Sequence, residues 1–136
     1  MKTILFVCIH NSGRSQVAEA YFNLLAKDKA KGLSAGTHPA NDVNSVVIQA
    51  MKEIGTDISS NTPKALTLDM VKGAYRMITM GCGAETEEIC PADFIETEDW
   101  ALEDPQSKPI EAIRIIRDEI KQRVTTLIEE ITTTQK

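Results

Sequence analysis

The residues best suited to chemistry sit close to the amino terminus: Cys8-Ile9-His10-Asn11-Ser12-Gly13-Arg14-Ser15. A thiol, five intervening residues, a guanidinium and a hydroxyl suit the capture of a tetrahedral oxyanion. Successive backbone N–H groups of a tight loop can converge on such an ion. A helix beginning at the end of the loop adds unpaired N–H groups and the positive end of its dipole. Arg14 offers a planar fork for two of the oxygens. The same positive surroundings favour the thiolate form of Cys8, and Ser15 is spaced to donate a hydrogen bond to it. Gly13 allows close backbone approach, and Asn11 tolerates a left-handed conformation that would brace the loop. The expected oxyanion set is thus Ile9, His10, Asn11, Ser12, Gly13, Arg14 and Ser15 around Cys8. A strand-end cysteine whose loop merely packs would leave Arg14 and Gly13 without a purpose.

Such a loop needs a strand before it and a helix after it. Ile4 to Ile9 is continuously apolar, as in a strand buried on both faces of a parallel sheet. Val17, Ala20, Tyr21, Leu24 and Leu25 share one helical face, so a helix is expected from about Ser15, ending near Gly32. Leu33 to Gly36 reads as a short strand. Val43, Val46, Val47, Ala50, Met51 and Ile54 keep helical spacing, with Gly55 as the stop. Residues 59 to 69 are polar and irregular, with room for one short helix. Tyr75 to Met80 reads as a third strand, and a further short strand is expected near Phe94. Ile110, Ile113, Ile116, Ile120, Val124, Leu127 and Ile131 mark the last helix, with Pro109 suited to its first turn. Its charges pair at i,i+4, Arg114 with Asp118 and Glu119 with Arg123. Strands alternating with helices predict one α/β domain over residues 1–136, a mostly parallel sheet with helices on both faces. Ligands bind at the carboxyl ends of such strands, where Cys8, Cys82 and the loop after Gly36 fall.

Charge is unevenly spread. The 136 residues hold 15 Lys+Arg and 20 Asp+Glu, a net charge of −5. Nine of the acids, and no Lys or Arg, lie in residues 84–104, so the substrate end is locally positive. A basic nucleic-acid binder is disfavoured. The longest apolar run is too short to span a bilayer, and no signal peptide is evident. A cytoplasmic place is expected, where structural disulfides are rare. Cys8, Cys82 and Cys90 are an odd number of thiols, which points to reactive ones. Cys82 and Cys90 are too far apart for a zinc knuckle and only two histidines exist, so no metal is expected. His10 and His38 have plain loop roles as well as positions near the cleft, and Trp100 suits packing more than substrate contact.

Taken together, Cys8 to Ser15, then Gln16-Val17-Ala18-Glu19-Ala20, Ser34-Ala35-Gly36 and Glu103-Asp104-Pro105 resemble the low-molecular-weight tyrosine phosphatases, and among them most the arsenate reductases built on that fold. The resemblance runs from Lys2 to about Ile131. It implies a three-layer domain with a four-stranded parallel sheet. It implies Asp104 as general acid, Cys82 as the thiol that attacks the Cys8–arsenic adduct, and Cys90 as the terminal thiol. No bound cofactor is implied, only an external reductant: thioredoxin, glutaredoxin or a low-molecular-weight thiol. Arsenate and a thioredoxin-like protein are the partners it implies, for a monomer that binds neither nucleic acid nor membrane. The acidic block around Cys90 is expected to select the redox protein that docks, through Glu85, Glu87 and Glu88.

Three departures qualify the match. Gly13 stands where the family commonly has a further cysteine, and seven residues separate Cys82 from Cys90 where six are common. Some relatives bind potassium beside the loop, but one acidic ligand position is Lys64 here, so that ion is not expected. Gln106 follows Asp104-Pro105 where phosphatases of this fold carry an aromatic residue, and aromatic content is only 4%. That favours reductase over phosphatase. A phosphocysteine carrier domain or an oxyanion-sensing module remains as the alternative from another class.

Overall fold

The computed structural model describes residues 2–8, 10–80, 97–100 and 108–133. Its elements are β1 (Lys2–Cys8), α1 (Arg14–Ala26), β2 (Ala30–Gly36), α2 (Ser45–Lys52), α3 (Leu68–Gly73), β3 (Arg76–Thr79), β4 (Thr97–Asp99) and α4 (Ile110–Thr133). The four strands form a sheet in the order β2-β1-β3-β4, with every neighbouring pair parallel.

The unbroken apolar run of β1 is explained by its central place. Ile4, Phe6 and Cys8 join the larger core cluster, with Val17, Ala18, Tyr21 and Phe22 of α1, Val47 and Met51 of α2, and the apolar stripe of α4. Leu5 and Val7 face the other way, onto a smaller cluster with Ala35, Met77 and Val71 of α3. Alternation along the strand therefore sends side chains into two apolar layers, and neither face is left for polar residues. The α4 stripe is buried from Ile113 to Ile131, with Ile110 partly covered, while Ile115, off the stripe, is exposed. Pro109 sits just before Ile110, and its carbonyl accepts from the Ala112 and Ile113 amides. No helix among the described residues is long and apolar enough to cross a membrane.

Two expectations are corrected. The first helix ends at Ala26, not near Gly32. Lys27 takes a left-handed φ of 54°, and Ala30 is already paired with Lys2 in the sheet. Gly32 is a strand glycine on which α1 presses: its amide donates to Asn23 Oδ1 at 2.7 Å and its carbonyl accepts from Asn23 Nδ2. A methyl placed there would lie 3.1 Å from Phe22 Cδ1 and 3.2 Å from Phe22 Cβ. Gly32→Ala is therefore expected to cost about 1–3 kcal/mol in urea unfolding; unchanged stability would mean that α1 can back away from β2. Gly55, by contrast, closes the turn that stops α2 as expected, at φ +83°, its amide donating to the Lys52 carbonyl.

The second correction concerns charge. Arg114 does not pair with Asp118. Its guanidinium grips Glu53 at the end of α2, at 2.6 Å from Nη2, and Arg117 reaches the same carboxylate at 3.0 Å as well as Asp118 at 2.8 Å. A fork-to-fork geometry across two packed helices outcompetes a lateral pair along one. The Arg114 hydrogen bond, above all, holds the Glu53 carboxyl below its ordinary range, so whatever this pair adds to stability is present at neutral pH and lost on acidification. The Glu119–Arg123 pair does form, at 3.2 Å. The short helix of the irregular stretch lies at Leu68–Gly73, at and beyond its far end. Phe94 lies outside the described residues; the strand found nearest it is β4. Trp100, immediately after β4, is buried and packs its ring 5.9 Å from that of Phe6.

Candidate active site

The loop between β1 and α1 is held from outside by backbone. Thr37, Ala40 and Asn44 donate their amides to the carbonyls of Cys8, His10 and Ser12 at 3.2, 3.0 and 2.8 Å. Gln16 Nε2 donates to the Asn11 carbonyl at 3.2 Å. In a trans peptide the amide after a carbonyl points the opposite way. The amides of Asn11, Ser12 and Gly13 are therefore turned away from the scaffold that holds the preceding carbonyls. For Asn11 this brings the N–H onto Cys8 Sγ, at 3.2 Å. Asn11 takes φ +51°, the left-handed conformation its short polar side chain tolerates.

Two backbone amides fix the hydrogen-bond directions on either side of Ser15. The backbone amide of Lys64 can only donate, and it meets Asn11 Oδ1 at 2.8 Å. That fixes the carboxamide, so Asn11 Nδ2 faces Ser15 Oγ, at 2.7 Å, and donates to it. Ser15 Oγ lies 2.8 Å from Cys8 Sγ. With its oxygen already accepting from Asn11, Ser15 keeps its proton available for the sulfur. A thiolate can only accept, so in that form Cys8 Sγ takes hydrogen bonds from a hydroxyl and from an amide. Cys8 is buried at 2% exposure, and Asn11, Ser15 and Gln16 have none.

Arg14 is the first residue of α1 and is buried. Among the described residues no side chain caps that helix start, and a helix start favours an anion. His10 lies at the loop's edge, its Nδ1 3.1 Å from the His38 carbonyl. A carbonyl only accepts, so Nδ1 carries the proton. The structure thus brings Cys8, His10, Asn11, Ser12, Gly13, Arg14 and Ser15 into one loop. Ile9, Cys82, Cys90 and Asp104 lie outside the described residues, as do Glu85, Glu87 and Glu88.

The sequence assigns no site role to Gln16 or Glu19 beyond the family resemblance, and none to Asn61. Gln16 joins Asn11 O and Oδ1 through Nε2, and its Oε1 accepts from Asn61 Nδ2 at 3.1 Å. Glu19 accepts from Ser34 Oγ at 2.7 Å and faces the Lys64 ammonium at 3.8 Å. Only the polar identity of a residue inside an otherwise apolar helix face could have flagged Gln16. An ammonium already faces Glu19, so these residues do not fit the potassium ion of some relatives. Among the described residues, no group of three or more His, Cys, Asp or Glu could hold a metal.

This loop geometry belongs with a sequence match that spans the chain. The low molecular weight phosphotyrosine protein phosphatase family matches residues 3–136. The chain belongs to that family. Within it, an arsenate reductase of Staphylococcus aureus is 36% identical over 122 residues, which cover 88% of this chain and 91% of the relative. The structure of a thioredoxin-dependent arsenate reductase of Corynebacterium glutamicum superposes with a TM-score of 0.83 at 34% identity, over 99% of this chain and 64% of that one. This chain therefore spans about two thirds of that protein. An arginine phosphatase of Geobacillus stearothermophilus superposes with a TM-score of 0.86 at 26% identity, over 99% of this chain and 96% of that one. Family membership carries the phosphatase-like fold, and the sequence relatives lean toward reductases.

Proposed function

We propose that this protein is an arsenate reductase in which three thiols act in turn, with arsenate as substrate and an external thiol donor as reductant. The observation that carries the reading is the Cys8 sulfur. It stands at the end of β1 with the Asn11 amide donating to it and Ser15 Oγ 2.8 Å away, beside a buried Arg14 and the start of α1. Arsenate binds to the loop amides and Arg14. The thiolate attacks arsenic, and Asp104 protonates the oxygen that leaves as water. The Cys82 thiolate then attacks Cys8 Sγ. A sulfur–sulfur bond forms, the electron pair of the sulfur–arsenic bond stays on arsenic, and arsenite departs. Arsenic gains two electrons and the two sulfurs lose them. Cys90 attacks Cys82, which frees Cys8 and leaves a Cys82–Cys90 disulfide for the donor to reduce. Thioredoxin is the proposed donor, supported by the structural relative that depends on it.

The second reading is a phosphatase, favoured by the family's name and by the arginine phosphatase likeness. It needs only Cys8, Arg14 and Asp104, with water in place of Cys82. One measurement separates the two. Reduced protein given arsenate, then alkylated and digested, is expected to show a Cys82–Cys90 bridge by mass spectrometry. Retention of all three free thiols, together with fast hydrolysis of a phosphotyrosine or phosphoarginine peptide, would give the site to hydrolysis. A stable phosphocysteine without turnover would make it a carrier.

A further inference from the structure

We infer that Gln16 and Asn61 are positioning residues for the nucleophile, forming with the Lys64 amide a strap that sets which way the protons point along the chain ending on Cys8 Sγ. The inference rests on the reading of Cys8 as nucleophile and goes one layer behind it. Asn11 Oδ1 accepts twice, from Lys64 N–H at 2.8 Å and Gln16 Nε2 at 3.1 Å. Those two donors oblige the carboxamide to present its NH2 to Ser15, which leaves the Ser15 proton available to a thiolate at Cys8. Gln16 is itself a carboxamide and could turn over. Asn61 Nδ2 prevents this by donating to Gln16 Oε1 at 3.1 Å, which keeps Nε2 aimed at Asn11. Reversal of Asn11 would set an oxygen against Ser15 Oγ, draw its proton away and leave the thiolate with one donor fewer; reversal of Gln16 would set its oxygen against Asn11 Oδ1 and remove one of the two donors that hold Asn11 in place.

The strap comes from far along the chain. Segment 61–64 lies against the loop because the Lys64 carbonyl accepts from the Gly36 amide at 2.7 Å, at the last residue of the β1–β2 pairing. Its second tie is the Lys64 ammonium at Glu19, whose carboxylate also holds Ser34. Gln16 is fully buried, whereas Asn61 is exposed and borders an open cavity of about 370 Å³ lined also by Glu19, Asn23, Thr62 and Lys64. Gln16 can therefore matter to the fold as well as to the sulfur, while Asn61 has little packing to lose. That difference makes the idea testable.

The experiment measures iodoacetamide alkylation of Cys8 in the full-length protein, resolved by peptide mass spectrometry, across the pH range in which thiols ionise. Steady-state arsenate reduction with a thioredoxin system is measured alongside. Gln16→Met, which keeps the volume and removes the donor, is expected to move the alkylation profile of Cys8 to higher pH and to lower kcat about tenfold with little change in KM. Asn61→Ala is expected to move both in the same direction by less, with an unchanged melting temperature. Asn61→Gln, which can still donate, should restore part of the loss. Wild-type alkylation profiles and kcat in both folded variants would overturn the strap, and so would a loss of thermal stability with no shift of the profile. Should Gln16→Met fail to fold, the Asn61 pair decides alone. If the wild type does not reduce arsenate, the functional reading fails, and the alkylation profiles still judge the strap.

Discussion

Cys8→Ser is expected to remove arsenate-dependent NADPH oxidation in a thioredoxin-coupled assay, a loss of at least roughly a thousandfold. A serine hydroxyl stays protonated at neutral pH and is a poor nucleophile without a base beside it. The groups around the sulfur, Ser15 and the Asn11 amide, are donors and could not take its proton. Oxygen also cannot enter a disulfide, so even slow attack would leave nothing for Cys82 to resolve. The fold should survive, because the change is from sulfur to oxygen at the end of a strand already paired on both sides. The amides, Arg14 and the helix start remain. Binding of phosphate or arsenate, followed by calorimetry, should therefore stay within a few-fold of wild type while turnover disappears. Turnover that persisted in Cys8→Ser would move the nucleophile elsewhere, and loss of binding along with turnover would mean that the sulfur shapes the loop as well as attacking.

The Asn11 series should have the next largest effect, and its order matters more than its size. Asn11 combines a left-handed backbone with a buried carboxamide that donates once and accepts twice. Asn11→Ala places a side chain that disfavours φ +51° and leaves the Lys64 amide and Ser15 without their partner. About 2–4 kcal/mol of stability and about a hundredfold in kcat are expected to go. Asn11→Gly should recover the backbone share, roughly 1–2 kcal/mol, and little of the rate. Asn11→Asp is the informative member. It tolerates the left-handed backbone and keeps both acceptors for Lys64 and Gln16. It presents an acceptor to Ser15, however, which draws the hydroxyl proton off the sulfur and adds a negative charge nearby. Asn11→Asp is thus expected to unfold closer to wild type than Asn11→Ala and to be no faster as a catalyst. Urea unfolding and kcat measured on all three would show it. An Asn11→Asp variant of near wild-type rate would contradict the proton direction assigned to Ser15.

The parts of the molecule legible in sequence were those written in adjacent residues. The run Ile4–Ile9 announced a strand buried on both faces, the isoleucine ladder announced α4, and Cys8 to Ser15 announced an oxyanion loop, because each needs only local periodicity or spacing. The sequence places the end of α1 too late because helix-favouring Lys27, Lys29, Ala30 and Lys31 continue past Ala26 with no Gly or Pro before Gly32, while what stops the helix is the pairing of Ala30 with Lys2, a tertiary event. Arg114 was paired along its own helix because the choice of Glu53 depends on how α2 packs on α4. Asn61 and Lys64 lie some 45 to 53 positions from the residues they hold, and one of the two acts through its backbone. No local pattern marks a contact of that kind. The cysteine count marks Cys82 and Cys90 as reactive candidates, but their order in the relay and the role of Asp104 come from family resemblance alone, and all three lie outside the described residues.

The ties from Thr37, Ala40 and Asn44 to the loop carbonyls are all made by backbone N–H groups, and this bears on how the protein can diverge. A scaffold that grips by peptide groups places almost no demand on side-chain identity at Thr37 and Ala40, whereas Asn44 also caps α2, its side chain accepting from the Val46 and Val47 amides. The stretch across from the catalytic loop can drift in charge, size and polarity, and so remodel the rim that substrates and redox partners meet, while the cup beneath keeps its shape. Proline is the one common replacement that such a lattice refuses at these three positions, since it alone lacks the hydrogen that makes the tie. Descendants of this chain could therefore exchange partners by ordinary surface substitution without relearning how to hold an oxyanion.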